Sequence, residues 1–314
     1  MIIKGFWPWK RLRQLTKFIT LFSCCFLLTV ACNQQPQTTT TPSPTVTTNG
    51  DRITIGTTGQ PRTIDPADSY EMSGLTLIYN LSDTLYTYKL GSTILTPQLA
   101  TEMPTVSEDG LTYTIPIREG VTFHDDTPFN AEAMAFSLDR FMNNGGKPSF
   151  LLSDTINTVE ATGEYELTIT LKEPFSAFPA LLAFPGACAV SPQAYEVGEG
   201  QFIPDNLVGT GRYQLSNFAT DSVQLDVFEN YWGEKPENKG IDLQIYPSNQ
   251  ANLFNSFRTQ AVDVAYQSLT PEQVLQLQEE ADSGNGQVIE NPGTAIAFMA
   301  LNVQTDFVLS LIHI

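Results

Sequence analysis

The chain has 314 residues and carries 34 acidic against 16 basic side chains, a formal net charge of −18. That balance excludes a nucleic-acid-binding surface, which needs a basic footprint, and a polybasic attachment to anionic membranes. The length beyond residue 50 is too great for one small core and is enough for two lobes.

Residues 1–31 carry Lys4, Lys10, Arg11, Arg13 and Lys17 and no acid, and the apolar run spans 18–31. That run is shorter than the ~20 residues needed to cross a bilayer, so it reads as a secretory signal. It ends Leu28-Thr29-Val30-Ala31-Cys32. This resembles a lipobox, with Thr29 where an aliphatic residue is usual, and implies cleavage after Ala31 and acylation of Cys32. The alternative is an ordinary signal peptide whose last Cys is incidental. Residues 32–50 are uncharged and rich in Thr and Pro, the composition of a disordered tether. Cys24 and Cys25 lie in the signal, so an acylated Cys32 leaves Cys188 without a disulfide partner. Within Ala187-Cys188-Ala189-Val190 it reads as a small buried apolar residue.

Beyond the tether, residues 52–57 read as a strand that Thr58-Gly59-Gln60-Pro61 breaks. Residues 75–81 read as a helix and Leu85-Tyr86 as a short strand. Leu111, Tyr113, Ile115 and Ile117 then alternate with Thr112, Thr114 and Pro116, the pattern of a half-buried strand. Glu119-Gly120 is turn chemistry, and 121–123 resumes an extended segment. Asn130 stands at an N-cap position. Behind it Ala131, Met134, Ala135, Leu138, Phe141 and Met142 share one helical face, with Asp139 and Arg140 off it. Residues 155–162 and 165–171 read as a hairpin around Gly163-Glu164, and 175–184 as a helix whose start Pro179 limits. Strands are expected at 213–218, 240–246, 261–266 and 295–303, and a helix at 249–257. Thr270, Pro271 and Gln273 form a capping box for a helix running to residue 281.

Several of these segments share fixed spacing with a known family. They are Asp109-Gly110, Tyr113, Ile117-Arg118, Gly120-Val121, Phe123-His124-Asp125, Pro128-Phe129, Asn130-Ala131-Glu132, Phe136-Ser137-Leu138 and Arg140. Thr63-Ile64-Asp65-Pro66, Pro97 with Leu99-Ala100, Val208-Gly209-Thr210-Gly211, Asn230-Tyr231-Trp232-Gly233 and the strand at 261–266 add to them. The chain resembles the family 5 solute-binding proteins of ABC importers, of the dipeptide- and oligopeptide-binding type. Asp126 stands where the family has a turn Gly, Ala133 where it has Asp at the third helical position, and Arg212 where it has Pro.

The resemblance implies an α/β fold of the periplasmic-binding-protein type II kind, bilobal, with mixed sheets and an additional inserted lobe. We divide the chain into residues 51–80 and 205–293 as lobe I, residues 81–204 as inserted lobe II, and residues 294–314 as a crossover strand. In the family that strand leads to a second ligand-gripping lobe, so the chain reads as C-terminally truncated. The fragment is then expected to bind peptides negligibly, and the full-length protein to bind them.

Catalytic chemistry has little to stand on. The sequence has no Gly-x-Ser-x-Gly, Walker P-loop, His-Glu-x-x-His or Cys-x-x-Cys. His124-Asp125-Asp126 reads as a turn rather than a metal or acid–base cluster, because neighbouring residues point different ways. Gly209-Thr210-Gly211 precedes a strand, not a helix, and so is not a phosphate loop. Tyr231 and Trp232 read as core aromatics before ligand-stacking ones. An exported hydrolase is the distant alternative. The resemblance implies no enzyme activity and no cofactor. The partners it implies are a peptide or other small solute and the permease subunits of the transporter, with the binding protein a lipid-anchored monomer on the outer, periplasmic face of the membrane. Other solutes of the family are nickel chelates, oligosaccharides and opines. Ligands of α/β folds sit at the carboxyl ends of strands. The candidate ligand-binding residues are therefore Thr58, Gln60, Pro61, Tyr70, Met72, Tyr266 and Gln267, closed over by a two-lobe motion that ligand contacts stabilise.

Overall fold

The computed structural model describes residues 51–284 and 286–290. The signal, Cys32, the tether and the strand expected at 295–303 lie outside them. The described residues hold three sheets. The first has five strands: β1 (Ile53–Thr57), β8 (Tyr213–Phe218), β9 (Ser222–Val227), β10 (Gly240–Ile245) and β11 (Val264–Ala265), in the order β11-β1-β10-β9-β8. β1 pairs in parallel with β10, Ile53 opposite Ile241, and with β11, Ile55 opposite Val264. Strands far apart in sequence thus meet on both sides of β1. Helix α5 (Gln250–Arg258) crosses between β10 and β11, capped by Asn249, whose side chain accepts from Asn252 N. It lies so close to β1 that a Cβ on Gly56 would stand 2.4 Å from Leu253 Cδ1.

A second, antiparallel sheet has the order β4-β5-β7-β6, from β4 (Thr105–Val106), β5 (Thr112–Pro116), β6 (Ile156–Gly163) and β7 (Glu166–Leu171). The alternation along residues 111–117 is realised, with Tyr113, Ile115 and Ile117 buried. Helix α2 (Ala131–Asn143) packs on this sheet, and Asn130 caps it by accepting from Ala133 N at 2.9 Å. Met134, Leu138 and Phe141 are buried there, each contributing about 1.5–3 kcal/mol by leaving water. The third sheet is the short hairpin of β2 (Tyr86–Tyr88) and β3 (Leu95–Pro97). Helix α1 (Met72–Leu81) starts three residues before its expected position. Helix α6 (Pro271–Asp282) carries the reciprocal capping box of Thr270 and Gln273.

Two hydrophobic cores result, one beneath the second sheet and α2, the other between α1 and the five-stranded sheet. Cys188, Val190 and Tyr195 join the second of these. Cys188 is buried, and burial pushes its thiol up to about 12.

Four expectations need correction. The helix expected at 175–184 is a single turn, α4 (Phe178–Leu181), with Pro179 at its start, followed by a 3-10 turn at Pro185–Ala187; Pro185 cannot continue the helix. The strand at 261–266 shrinks to the two residues of β11. Residues 121–123 form no ladder strand but one bridge, Thr122 to Pro128, across the Asp125-Asp126 turn. Arg140, placed off the buried face of α2, is itself buried and paired with Asp65, at side-chain exposures of 1% and 0%.

Asp126 has φ 64°, the left-handed conformation that Gly takes freely. Asp126→Gly is expected to raise stability by about 0.5–1 kcal/mol, read as a higher thermal midpoint; an unchanged or lower midpoint would show that the turn carries no strain.

Candidate functional site

Because β10 and β11 run parallel to β1, their carboxyl ends share one edge, and the β8–β9 turn joins it through Ile245 N donating to Asp221 O at 2.8 Å. Most of the candidate residues collect here. Thr58 N donates to Ser268 Oγ at 3.0 Å, and Thr57 Oγ1 lies 3.2 Å from the same hydroxyl. Ser268, which the sequence did not single out, therefore binds the end of β1 to the end of β11. Tyr266 is half-buried, its N–H on Gly56 O at 2.8 Å, and Gln267 is exposed with φ 49°.

Gln60 is exposed and donates from Nε2 to Thr220 O at 3.2 Å, while its carbonyl accepts from Ser73 Oγ at 3.3 Å. The loop after β1 is thereby fastened to the start of α1, where Met72 is 67% exposed. Pro61 is buried and lines the floor of an open hollow of about 540 Å³ with Gln60, Arg62, Asp205, Phe218 and Thr220. Tyr70 adjoins the same loop, its N–H and that of Arg62 both donating to the Glu71 carboxylate at 3.2 Å. It is 47% exposed and meets Phe150 and Phe184 edge-on, at centroid distances of 6.0 and 6.1 Å. The edge thus offers exposed polar side chains at strand ends beside an aromatic and a methionine, which suits a small mixed polar–apolar solute.

The family described as bacterial extracellular solute-binding proteins, family 5 middle, matches residues 95–309. The chain belongs to this family. It is 38% identical over 174 residues to the glutathione-binding protein GsiB of Salmonella typhi, a match covering 54% of this chain and 33% of that one. Among solved structures, the periplasmic binding protein DppA of Helicobacter pylori in complex with the peptide STSA matches with TM-score 0.65 and 25% identity, over 72% of this chain and 48% of that one. NikZ of Campylobacter jejuni in complex with Ni(L-His) matches with TM-score 0.60 and 22% identity, over 68% and 42%. The fold is the mixed α/β fold of bilobal periplasmic binding proteins. The chain spans about a third of the length of the curated relatives it matches.

In this family 5 protein the signature segments build a buried junction between the two cores. A Cβ on Gly209 would stand 2.4 Å from Leu81 O, and one on Gly211 2.4 Å from Leu81 C. The glycines of 209–211 therefore admit the end of α1, and Gly211 N donates to Leu81 O at 3.0 Å. On one side of this loop lies Asp83, which accepts from Gln98 Nε2 at 2.6 Å, Trp232 Nε1 at 2.9 Å, Thr210 Oγ1 at 3.2 Å and Tyr231 Oη at 3.3 Å. Burial nevertheless pushes its carboxyl up to about 6. Tyr231 and Trp232 thus serve the junction, with Arg118 stacked over Trp232 at 4.4 Å.

On the other side lies His124. Its Nδ1 accepts from Gly209 N at 3.3 Å, and its Nε2 is 3.0 Å from Gly211 O, a pattern that fixes the Nε2–H tautomer. Burial holds its pKa down to about 4. Asp125 accepts from Ser191 Oγ at 2.6 Å and from Thr127 N at 3.1 Å, and Asp126 lies 3.4 Å from Asn230 Nδ2. The three side chains of 124–126 diverge, as turn residues do. No sequence signal pointed to Asp83, because its four donors come from three distant segments.

Proposed function

We propose that the protein is the substrate-binding component of an ABC importer. In this reading it captures di- or oligopeptides outside the cytoplasmic membrane and delivers them to the permease. The observation that carries the reading is the shared edge at the carboxyl ends of β1, β10 and β11, in a chain of family 5. A peptide would lie along that edge, main chain on backbone groups and side chains against Tyr70 and Met72. The parallel partners on both sides of β1 support residues 51–80 and 205–293 as one lobe, and the separate core beneath α2 supports an inserted lobe between them. The similarity to a protein named for glutathione, itself a small peptide, supports the solute class. A metal chelate is the second reading, favoured by the likeness to NikZ holding Ni(L-His).

Isothermal titration calorimetry tests the site in the gene product at the full length of its relatives, with di- and tripeptides, glutathione and Ni(L-His) as probes. Met72→Asp, Tyr70→Ala and Gln267→Ala are each expected to weaken the preferred solute about tenfold, the equivalent of ~1.4 kcal/mol. Affinity unchanged in all three would move the site away from this edge. The reading also includes acylation at Cys32 and a monomer held on the outside face of the cytoplasmic membrane. Cys32→Ala is then expected to shift the protein to the soluble fraction; retention of the variant with the membrane, together with unprocessed wild type as the major species, would refute the anchor.

A further inference from the structure

The turn that joins β2 to β3 contrasts with the rest of this acidic chain. Leu90 is 99% exposed and Ile94 60%, with Tyr88 at 44% beside them. Scattered apolar residues on a surface are ordinary, but three at one hairpin tip mark a contact. Charge sets the tip apart as well. Lys89 is the single charged residue between Asp83 and Glu102, in a chain with twice as many acids as bases. Three of the amides of the tip are bonded within it. Lys89 N donates to Ile94 O at 2.8 Å, Ser92 N to Lys89 O at 2.9 Å, and Ile94 N to Ser92 Oγ at 3.1 Å. Gly91 turns the chain with φ 69° and open space around it. Such a turn suits the hydrated headgroup level, where water and lipid oxygens remain for the amides of Leu90, Gly91 and Thr93.

We infer that the β2–β3 turn is a contact for an anionic lipid surface. Leu90 and Ile94 enter the boundary between headgroups and acyl chains, Tyr88 sits at headgroup level, and Lys89 meets lipid phosphates. Anionic headgroups repel most of this protein, and here alone between Asp83 and Glu102 the chain presents apolar area with a positive charge and no acid. No described helix is long and apolar enough to cross a membrane. The contact does not depend on acylation of Cys32.

The test uses the full chain carrying Cys24→Ser, Cys25→Ser, Cys32→Ser and Thr93→Cys, with an environment-sensitive dye on the new thiol; Cys188 is buried and does not compete. On phosphatidylglycerol–phosphatidylethanolamine vesicles the dye emission is expected to shift to the blue, less so in high salt and less on phosphatidylcholine. Leu90→Asp or Ile94→Asp, at exposed positions that leave the fold intact by circular dichroism, is expected to lower the shifted fraction about tenfold. A dye that stays in an aqueous environment while the chain sediments with anionic vesicles overturns the inference. So does an equal shift on both lipids that Lys89→Glu leaves unchanged. A shift seen only on membranes containing the permease would assign the tip to a protein and overturn the lipid assignment.

Discussion

Arg140→Met is expected to cost about 3–5 kcal/mol of folding stability, the typical loss when one partner of a buried ion pair is removed. The guanidinium holds both carboxylate oxygens of Asp65, Nη1 to Oδ1 at 2.8 Å and Nη2 to Oδ2 at 2.7 Å, and donates again to Gln201 O at 2.9 Å. Its plane lies over the Tyr195 ring at 4.5 Å. Asp65 takes two further donors, Ala67 N at 2.9 Å and Ile203 N at 2.7 Å. The pair therefore fastens α2 to the turn after β1 and to the segment at 201–203, three stretches that share no strand. Removing the cation leaves a buried carboxylate with only its two backbone donors. Arg140→Lys should recover little, since an ammonium cannot make the two-pronged contact. Urea titration of the single variants and of the Arg140→Met/Asp65→Leu double variant measures the coupling. The double variant is expected to lose less than the two singles combined. A loss below about 1 kcal/mol for Arg140→Met would mean that water or a rearranged side chain replaces the cation.

Arg140 also shows what sequence reading reaches and where it stops. The alternation in residues 111–117, the Asn130 and Thr270 caps and the hairpin at Gly163 depend on residues within a few positions of one another, and each appears as read. Helical periodicity assigns a face by counting apolar residues, so it leaves Arg140 off the buried face. Its burial is decided by Asp65, which lies 75 positions away. The same holds for Asp83, whose donors Gln98, Thr210, Tyr231 and Trp232 meet only in the folded chain. The strand-end candidates were legible because chain breaks such as Thr58-Gly59-Gln60-Pro61 show where strands stop. Which strands share an edge was not. That edge is set by the parallel pairing of β1 with β10 and β11, which also brings in Ser268. Pro61 lies in the loop after β1 with its ring buried, a placement that the chain break alone does not reveal.

The pH dependence of stability is expected to be flat between about pH 4 and 6.5 because two steep contributions of opposite sign cancel. Asp83 has a folded pKa of about 6, above its ordinary value of 3.8. The folded state therefore binds more protons than the unfolded chain across that interval, and this contribution falls as pH rises through it. His124 has a folded pKa of about 4, below its ordinary 6.5. Here the unfolded chain binds more protons, and stability is lost as pH falls from 6.5 towards 4. Each contribution is on the order of 3 kcal/mol from its shift at ~1.4 kcal/mol per pH unit, and both groups grip the same loop, Gly209 to Gly211. Protonating His124 puts a hydrogen on Nδ1, where Gly209 N–H already points, so the bond at 3.3 Å is lost with the charge. His124→Asn keeps an acceptor for that amide and removes the titration. Its urea midpoint is expected to fall with rising pH across the window, the slope belonging to Asp83. Asp83→Asn is expected to be less stable throughout, because its amide nitrogen meets donors, and its midpoint should rise with pH over the same window. Parallel profiles for the wild type and both variants would show that neither pKa changes on folding, and that the junction admits enough water to leave the two at their ordinary values.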